Sequence, residues 1–221
     1  MCANYKPATL QQIHDLGLPK IPFEYQEEVY PSFQTPLLFK SDTGLEWRLV
    51  NFGLIPKWAE NRDIAKHTYN ARNETLLEKA SFRDSLLKAK LGLIAVTEFY
   101  EAKYIHGKAQ RWGVRRKDGQ AFFIAALYEI TKLNEEVIRS TCMITMDAID
   151  HAMMKEFHEP GNIKRSVVVI PHERIEQWLA WKNPNIMTFM QGFPVEEFEC
   201  FYCPQQRQAK NSPQLNMFDD L

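Results

Sequence analysis

The stretch Leu91-Gly92-Leu93-Ile94-Ala95-Val96-Thr97-Glu98-Phe99 decides the fold. It reads as a strand rich in apolar side chains. Downstream, residues 111–116 and 121–128 flank Lys117-Asp118-Gly119-Gln120, and the Asp-Gly pair predicts a hairpin. Residues 137–146 form another strand and 148–156 a short helix. Residues 167–170 are a buried-type strand ended by Pro171. Residues 172–181 form a helix with Ile175, Trp178 and Leu179 on one face. Upstream, a helix runs from near Arg72 to Lys90 with a break at Ser81, after a Gly/Pro-marked loop over 51–58. Residues 45–52 are a strand opened by Asp42-Thr43-Gly44. Residues 19–36 carry four prolines and read as irregular or extended chain wrapping a core, and 7–16 as a short helix with Thr9 as its N-cap. Strands and helices do not alternate as β-α-β units. The expectation is an α+β domain on a mainly antiparallel, barrel-like sheet with peripheral helices. One domain spans 1–204. From 205 to 221 the apolar pattern is lost, as in a flexible tail.

The chain has 221 residues, 45% of them hydrophobic, enough for one large domain or two small ones. A formal net charge of −1 excludes a global basic field, so any nucleic-acid site must be a local patch. No apolar run approaches a membrane span, and no apolar signal segment follows Met1. Four cysteines without a secretory signal read as reduced thiols in a cytosolic protein.

Four places carry chemistry. Cys2, freed of Met1, would hold an α-amine and a thiol two carbons apart. Such a pair either traps an aldehyde as a five-membered thiazolidine or attacks an amide with its own amine as base. Asn70-Ala71-Arg72-Asn73-Glu74-Thr75 reads either as a helix cap, with Asn70 as N-cap, or as an anion-binding junction. Glu101 follows the apolar strand and shares a face with Phe99, so it is either a partly buried general acid/base or a solvated strand end. His158 stands in a loop before a strand, as a surface residue or a catalyst. Cys200-Phe201-Tyr202-Cys203 lacks a second ligand pair and reads as two ordinary cysteines; neither a metal nor a cofactor is expected.

Together these pieces resemble the SOS-response-associated peptidase (SRAP) family over roughly residues 1–180. The resemblance rests on Met1-Cys2, Phe52-Gly53-Leu54-Ile55-Pro56-Lys57-Trp58, Asn70-Ala71-Arg72-Asn73-Glu74-Thr75, Phe82-Arg83, Phe99-Tyr100-Glu101 and His158. It implies a groove for single-stranded DNA and an abasic-site processing enzyme with autoproteolytic peptidase or lyase-type activity. Cys2 would crosslink the ring-opened aldehyde of an abasic site. Asn70 would orient Cys2 and the sugar, Glu101 would move protons, and His158 would act on the imine and in crosslink reversal. Arg72, Arg83, Lys57, Lys66, Lys164 and Arg165 would meet the DNA backbone, and Trp58 would wedge or stack against bases.

The chain departs from the family at Cys2-Ala3-Asn4, where Cys-Gly-Arg is usual, and in a longer stretch between His158 and Lys164-Arg165. In the tail, Gln214-Leu215-Asn216-Met217-Phe218 resembles a clamp-binding pentapeptide, with Gln214, Leu215, Met217 and Phe218 as the contacts for a bacterial sliding clamp. The setting implied is cytoplasmic and nucleoid-associated. Two rival readings are an N-terminal-nucleophile cysteine peptidase or amidase, with Cys2 as nucleophile and Glu101 or His158 as base, and a non-catalytic clamp-binding module.

Overall fold

A computed structural model describes residues 3–205. The strands are β1 (Asn4–Pro7), β2 (Gln34–Ser41), β3 (Gly44–Phe52), β4 (Asn70–Arg72), β5 (Leu91–Ile105), β6 (Lys108–Arg116), β7 (Phe122–Leu133), β8 (Glu136–Asp147), β9 (Arg165–Val167), β10 (Val169–Ile170) and β11 (Phe198–Tyr202). The helices are α1 (Leu10–Asp15), α2 (Ala80–Leu87) and α3 (Ile175–Leu179). All strands join one sheet, and β5, β7, β8, β3 and β2 close on themselves as a barrel. The barrel is mixed, because β3 runs parallel to β8 while the other four pairings are antiparallel. The α+β, barrel-like architecture with peripheral helices is therefore as the sequence implied.

β5 is the strand on which the rest is assembled. Leu91, Leu93 and Ala95 pack with Phe82, Trp178 and other helix residues, whereas Ile94 and Val96 pack with Phe52, Ile124 and Met143. Both faces are covered, which explains an apolar run without alternation. One irregularity redirects the strand. In the pairing with β1, Glu98 faces Lys6 and Val96 faces Pro7, leaving Thr97 as an extra residue. Such a bulge reverses the alternation beyond it. Phe99 thereby joins the cluster that holds Val96, and Glu101 follows Phe99 to the same side.

Several segments differ from the sequence expectations. Residues 34–41 are a strand despite Pro36, which pairs opposite Leu49. Asn70 does not cap a helix. It opens β4, which pairs in parallel with β8 through Asn70–Met143, Ala71–Ile144 and Arg72–Thr145. Burial of Ala71 outweighs the local cap signal; a 3-10 turn follows at Asn73–Thr75, and α-helix begins only at Ala80. Asp118-Gly119 forms a turn in which Asp118 accepts from the guanidinium of Arg116 and the amide of Gln120. No hairpin results: β6 and β7 both run antiparallel to β5, one along Glu98–Ile105 and the other along Leu91–Val96. The expected helix over 148–156 is reduced to one 3-10 turn, Met154–Glu156. There His151 Nδ1 accepts from the amides of Met153 and Met154, a side-chain alternative to the helical bond. Thr9 does cap α1, in a reciprocal box with Gln12. Among the described residues no helix is long and apolar enough to cross a membrane.

Candidate active site

The edge of β5 opposite β6 determines the site. β1 occupies that edge only as far as Asn4 opposite Tyr100. Two residues on, the amide of His158 donates to the carbonyl of Ala102 at 2.7 Å, and Phe157 bridges Lys103. The N-terminal strand and the His158 loop thus meet end to end, with Glu101 between them. His158 has φ +65°, a conformation that costs a non-glycine residue about 1–2 kcal/mol. The ammonium of Lys164 offsets this. It donates to the carbonyls of Phe157 (2.8 Å), His158 (3.2 Å) and Glu159 (3.3 Å) and so fixes the loop.

His158 Nε2 lies 3.4 Å from Glu101 Oε2, and the two side chains are only 9% and 6% exposed. The separation exceeds a normal hydrogen bond. Both ring nitrogens of His158 are buried and neither makes a hydrogen bond within the described residues. Both residues line an open cleft of about 770 Å³ that also takes in Ala3, Asn4, Arg72 and Arg111.

Arg72 is exposed in this cleft, with no ion pair among the described residues. It shares a face of β4 with Asn70, which is buried. Arg165 also reaches the cleft but is 4% exposed. Its guanidinium donates to Glu74 Oε1 at 2.7 Å, to the carbonyl of Thr145 at 2.8 Å and to the Thr145 hydroxyl at 3.1 Å. Burial raises the Glu74 pKa, but the Arg165 bond and backbone amides outweigh it and hold the carboxyl below its ordinary value. Arg165 and Lys164, read from sequence as phosphate contacts, thus also hold the walls of the site together.

The remaining expected contacts do not line the cleft. Trp58 is exposed, its indole donating to the carbonyl of Ala80 at 3.3 Å, at the start of the helix that carries Arg83. Lys66 pairs with Asp63 at 2.6 Å, and Lys57 is exposed beside Trp58. Cys2, Gln214, Leu215, Met217 and Phe218 lie outside the described residues.

Sequence reasoning missed one cluster. Arg111 stacks 3.4 Å over the Tyr100 ring and donates to Asn4 Oδ1 at 2.6 Å, to Glu28 and to Cys203 Sγ at 3.2 Å. Tyr100 donates to buried Glu98, which also pairs with Lys6 at 2.9 Å. Burial and the Glu98 charge push the Tyr100 hydroxyl far up, so it stays protonated. These ties anchor Asn4, the first residue of β1. No local motif announces Arg111; only the pairing of β5 with β6 sets it opposite Ala102. Among the described residues no group of His, Cys, Asp and Glu is arranged to hold a metal ion.

Residues 1–206 match the family described as SOS response associated peptidase (SRAP). The chain belongs to the SRAP family. Two curated relatives from Bacillus subtilis (strain 168) are similar to it. The abasic site processing protein YoaM is 27% identical over 206 residues, covering 91% of this chain and 86% of that one. The abasic site processing protein YoqW is 28% identical over 206 residues, covering 91% and 88%. An X-ray structure of a protein from Bordetella bronchiseptica shares the fold, with a TM-score of 0.85 at 23% identity over 92% of this chain and 100% of that one. A structure from Bacteroides thetaiotaomicron aligns with a TM-score of 0.75 at 20% identity, over 96% of this chain and 97% of that one.

Proposed function

We propose that this SRAP protein captures abasic sites in single-stranded DNA by forming a thiazolidine crosslink through Cys2 after loss of Met1. The observation that carries the reading is the abutment on β5: β1 stops at Asn4 opposite Tyr100, His158 begins at Ala102, and Glu101 stands between. Cys2 is two residues before Asn4, and one peptide unit spans about 3.8 Å, so the aminothiol is tethered within reach of the acid/base pair. The names of the relatives, which are called abasic site processing proteins, support the same substrate.

The chemistry balances without a redox partner. The α-amine of Cys2 adds to the aldehyde carbon of the ring-opened sugar. Loss of one water gives an imine. The thiol sulfur then bonds to the imine carbon, the C=N pair becomes an N–H, and a five-membered ring closes. Glu101 moves protons in ring opening and dehydration. His158 protonates and deprotonates the nitrogen, in formation and in reversal. Asn70 orients the sugar and Cys2, and Arg72 receives a phosphate at the cleft. Trp58, Lys57, Lys66 and Arg83 extend the DNA track away from the reacting centre. The protein acts in the cytoplasm, at the nucleoid.

The deciding experiment is intact mass spectrometry after incubation with an abasic oligonucleotide. The expected species is the sum of the Met1-free protein and the DNA minus one water, absent in Cys2→Ala. An adduct formed equally by Cys2→Ala would sink the reading. Hydrolysis of an amide with no adduct would favour the amidase chemistry.

We further propose that residues 205–221 tether the domain to the bacterial sliding clamp through Gln214, Leu215, Met217 and Phe218, raising its local concentration where single strands appear. A peptide of residues 212–221 should bind clamp from the same organism, and a Leu215→Ala/Phe218→Ala control should not. Equal signals from both peptides would leave the tail without this role.

A further inference from the structure

The turn between His158 and Lys164 takes no part in the chemistry described above, yet it lines the same cleft. It is firmly held. The amide of Asn162 donates to the carbonyl of Glu159 at 3.1 Å, and the Asn162 side chain donates to the Glu159 carboxylate at 3.2 Å. Gly161 sits at φ +85°, where a side chain would be strained. Lys164 holds the carbonyls at the base. At the end of this turn stands Ile163, 59% exposed. Of the large apolar side chains exposed among the described residues, it alone lines this cleft.

Single exposed aliphatic residues are ordinary on protein surfaces. One that is presented on a rigid turn, five residues from the acid/base pair, faces whatever DNA enters. Apolar side chains such as isoleucine act as wedges between base steps, but between intact neighbours they must first unstack them. Where a base is missing, that cost is already absent. We propose that Ile163 fills the base-sized gap of an abasic site, so that the 159–163 turn selects the lesion before any bond forms. The inference rests on the abasic-site reading of the cleft, and it assigns lesion recognition to a residue with no part in the bond chemistry.

The test separates recognition from chemistry. The full chain is titrated with a fluorescent single strand carrying one tetrahydrofuran site, which has no aldehyde, and with the same strand carrying thymine. The wild type should prefer the tetrahydrofuran strand about tenfold, the worth of one partly buried aliphatic side chain. Ile163→Ser should lose the preference while keeping its affinity for the intact strand within about twofold, and Ile163→Met should retain it. Equal binding of both strands by the wild type, or a preference that survives Ile163→Ser, overturns the wedge. Crosslinking to a natural abasic strand is measured in parallel. Crosslinking without the preference removes the wedge and leaves the aldehyde chemistry standing. Preference without crosslinking does the reverse.

Discussion

His158 Nε2 and Glu101 Oε2 stand 3.4 Å apart in a buried corner of an otherwise open cleft. The residues come from opposite halves of the chain, yet one strand edge holds both. Glu101 is part of β5, and the amide of His158 is bonded to the carbonyl of the next β5 residue. Their separation is therefore set by backbone pairing rather than by side-chain reach.

Glu101→Gln should slow adduct formation by about 10²–10⁴-fold, the usual worth of a general acid/base in the step it serves. His158→Ala should slow reversal more than formation. Quench-flow time courses on denaturing gels, followed by release into excess competitor strand, read the two steps separately. Unchanged rates in both variants would remove the pair from the mechanism.

Noncovalent binding to an intact single strand should weaken as salt rises, because a near-neutral protein must rely on a few local cations. Arg72→Ala should lower the slope of log affinity against log salt by about 0.7, one phosphate's share on a single strand. Arg165→Lys should act instead on stability, since its guanidinium is spent on Glu74 and Thr145. A slope untouched by Arg72→Ala would move the phosphate site elsewhere.

Gly53→Ala should destabilise the fold by about 2–5 kcal/mol, combining backbone strain with overpacking. An added Cβ would lie 2.3 Å from the Ala65 carbonyl oxygen and 2.7 Å from the Ala65 Cβ, at a φ of +120°. Urea melts should show a lower midpoint with an unchanged slope. A wild-type midpoint would mean that the 62–66 turn can withdraw.

Glu74 gives a pH signature. Its folded pKa lies below the ordinary 4.5, so its pairing with Arg165 stabilises the protein fully above that value and is lost as pH falls through the folded pKa. The stability gap between wild type and Glu74→Gln should be below about 1 kcal/mol, as suits a partly exposed carboxylate. It should be constant from about pH 7 to 5 and close in more acid solution. A gap that widens on acidification would contradict the assignment.

The β5 strand and the Thr9 cap were legible because both are local: a dense apolar run, and a residue with its reciprocal partner three positions on. Glu101 could be aligned with Phe99 by counting, but the bulge at Thr97 that turns this face into the barrel end needed β1 beside it. β2 was hidden by Pro36 in a proline-rich stretch, since proline removes a ladder donor and lowers any strand signal. Asp118-Gly119 has the right chemistry for a tight turn, but turn chemistry does not say which strands flank it. Lys164 and Arg165 illustrate a wider difficulty. A basic pair in sequence looks free, whereas the acceptors of Arg165 lie 20 and 91 residues away, at Thr145 and Glu74.

The pairing of Asn4–Pro7 with a strand segment that starts at Val96 also sets a timetable. During synthesis β1 can bridge only to Val29 until the β5 segment up to residue 100 has been made, which at about 5–20 residues per second takes about 5–20 s. Throughout that interval the bridge to Val29 stands without the ladder to β5, and a methionine-trimming enzyme has its chance. Once β5 exists the amino end is drawn against it, and Asn4 is clasped by Arg111. Under the proposed chemistry, maturation of the nucleophile is a race between trimming and folding. Slowing translation of the first hundred codons should raise the fraction of reactive protein, and refolding an untrimmed chain should not.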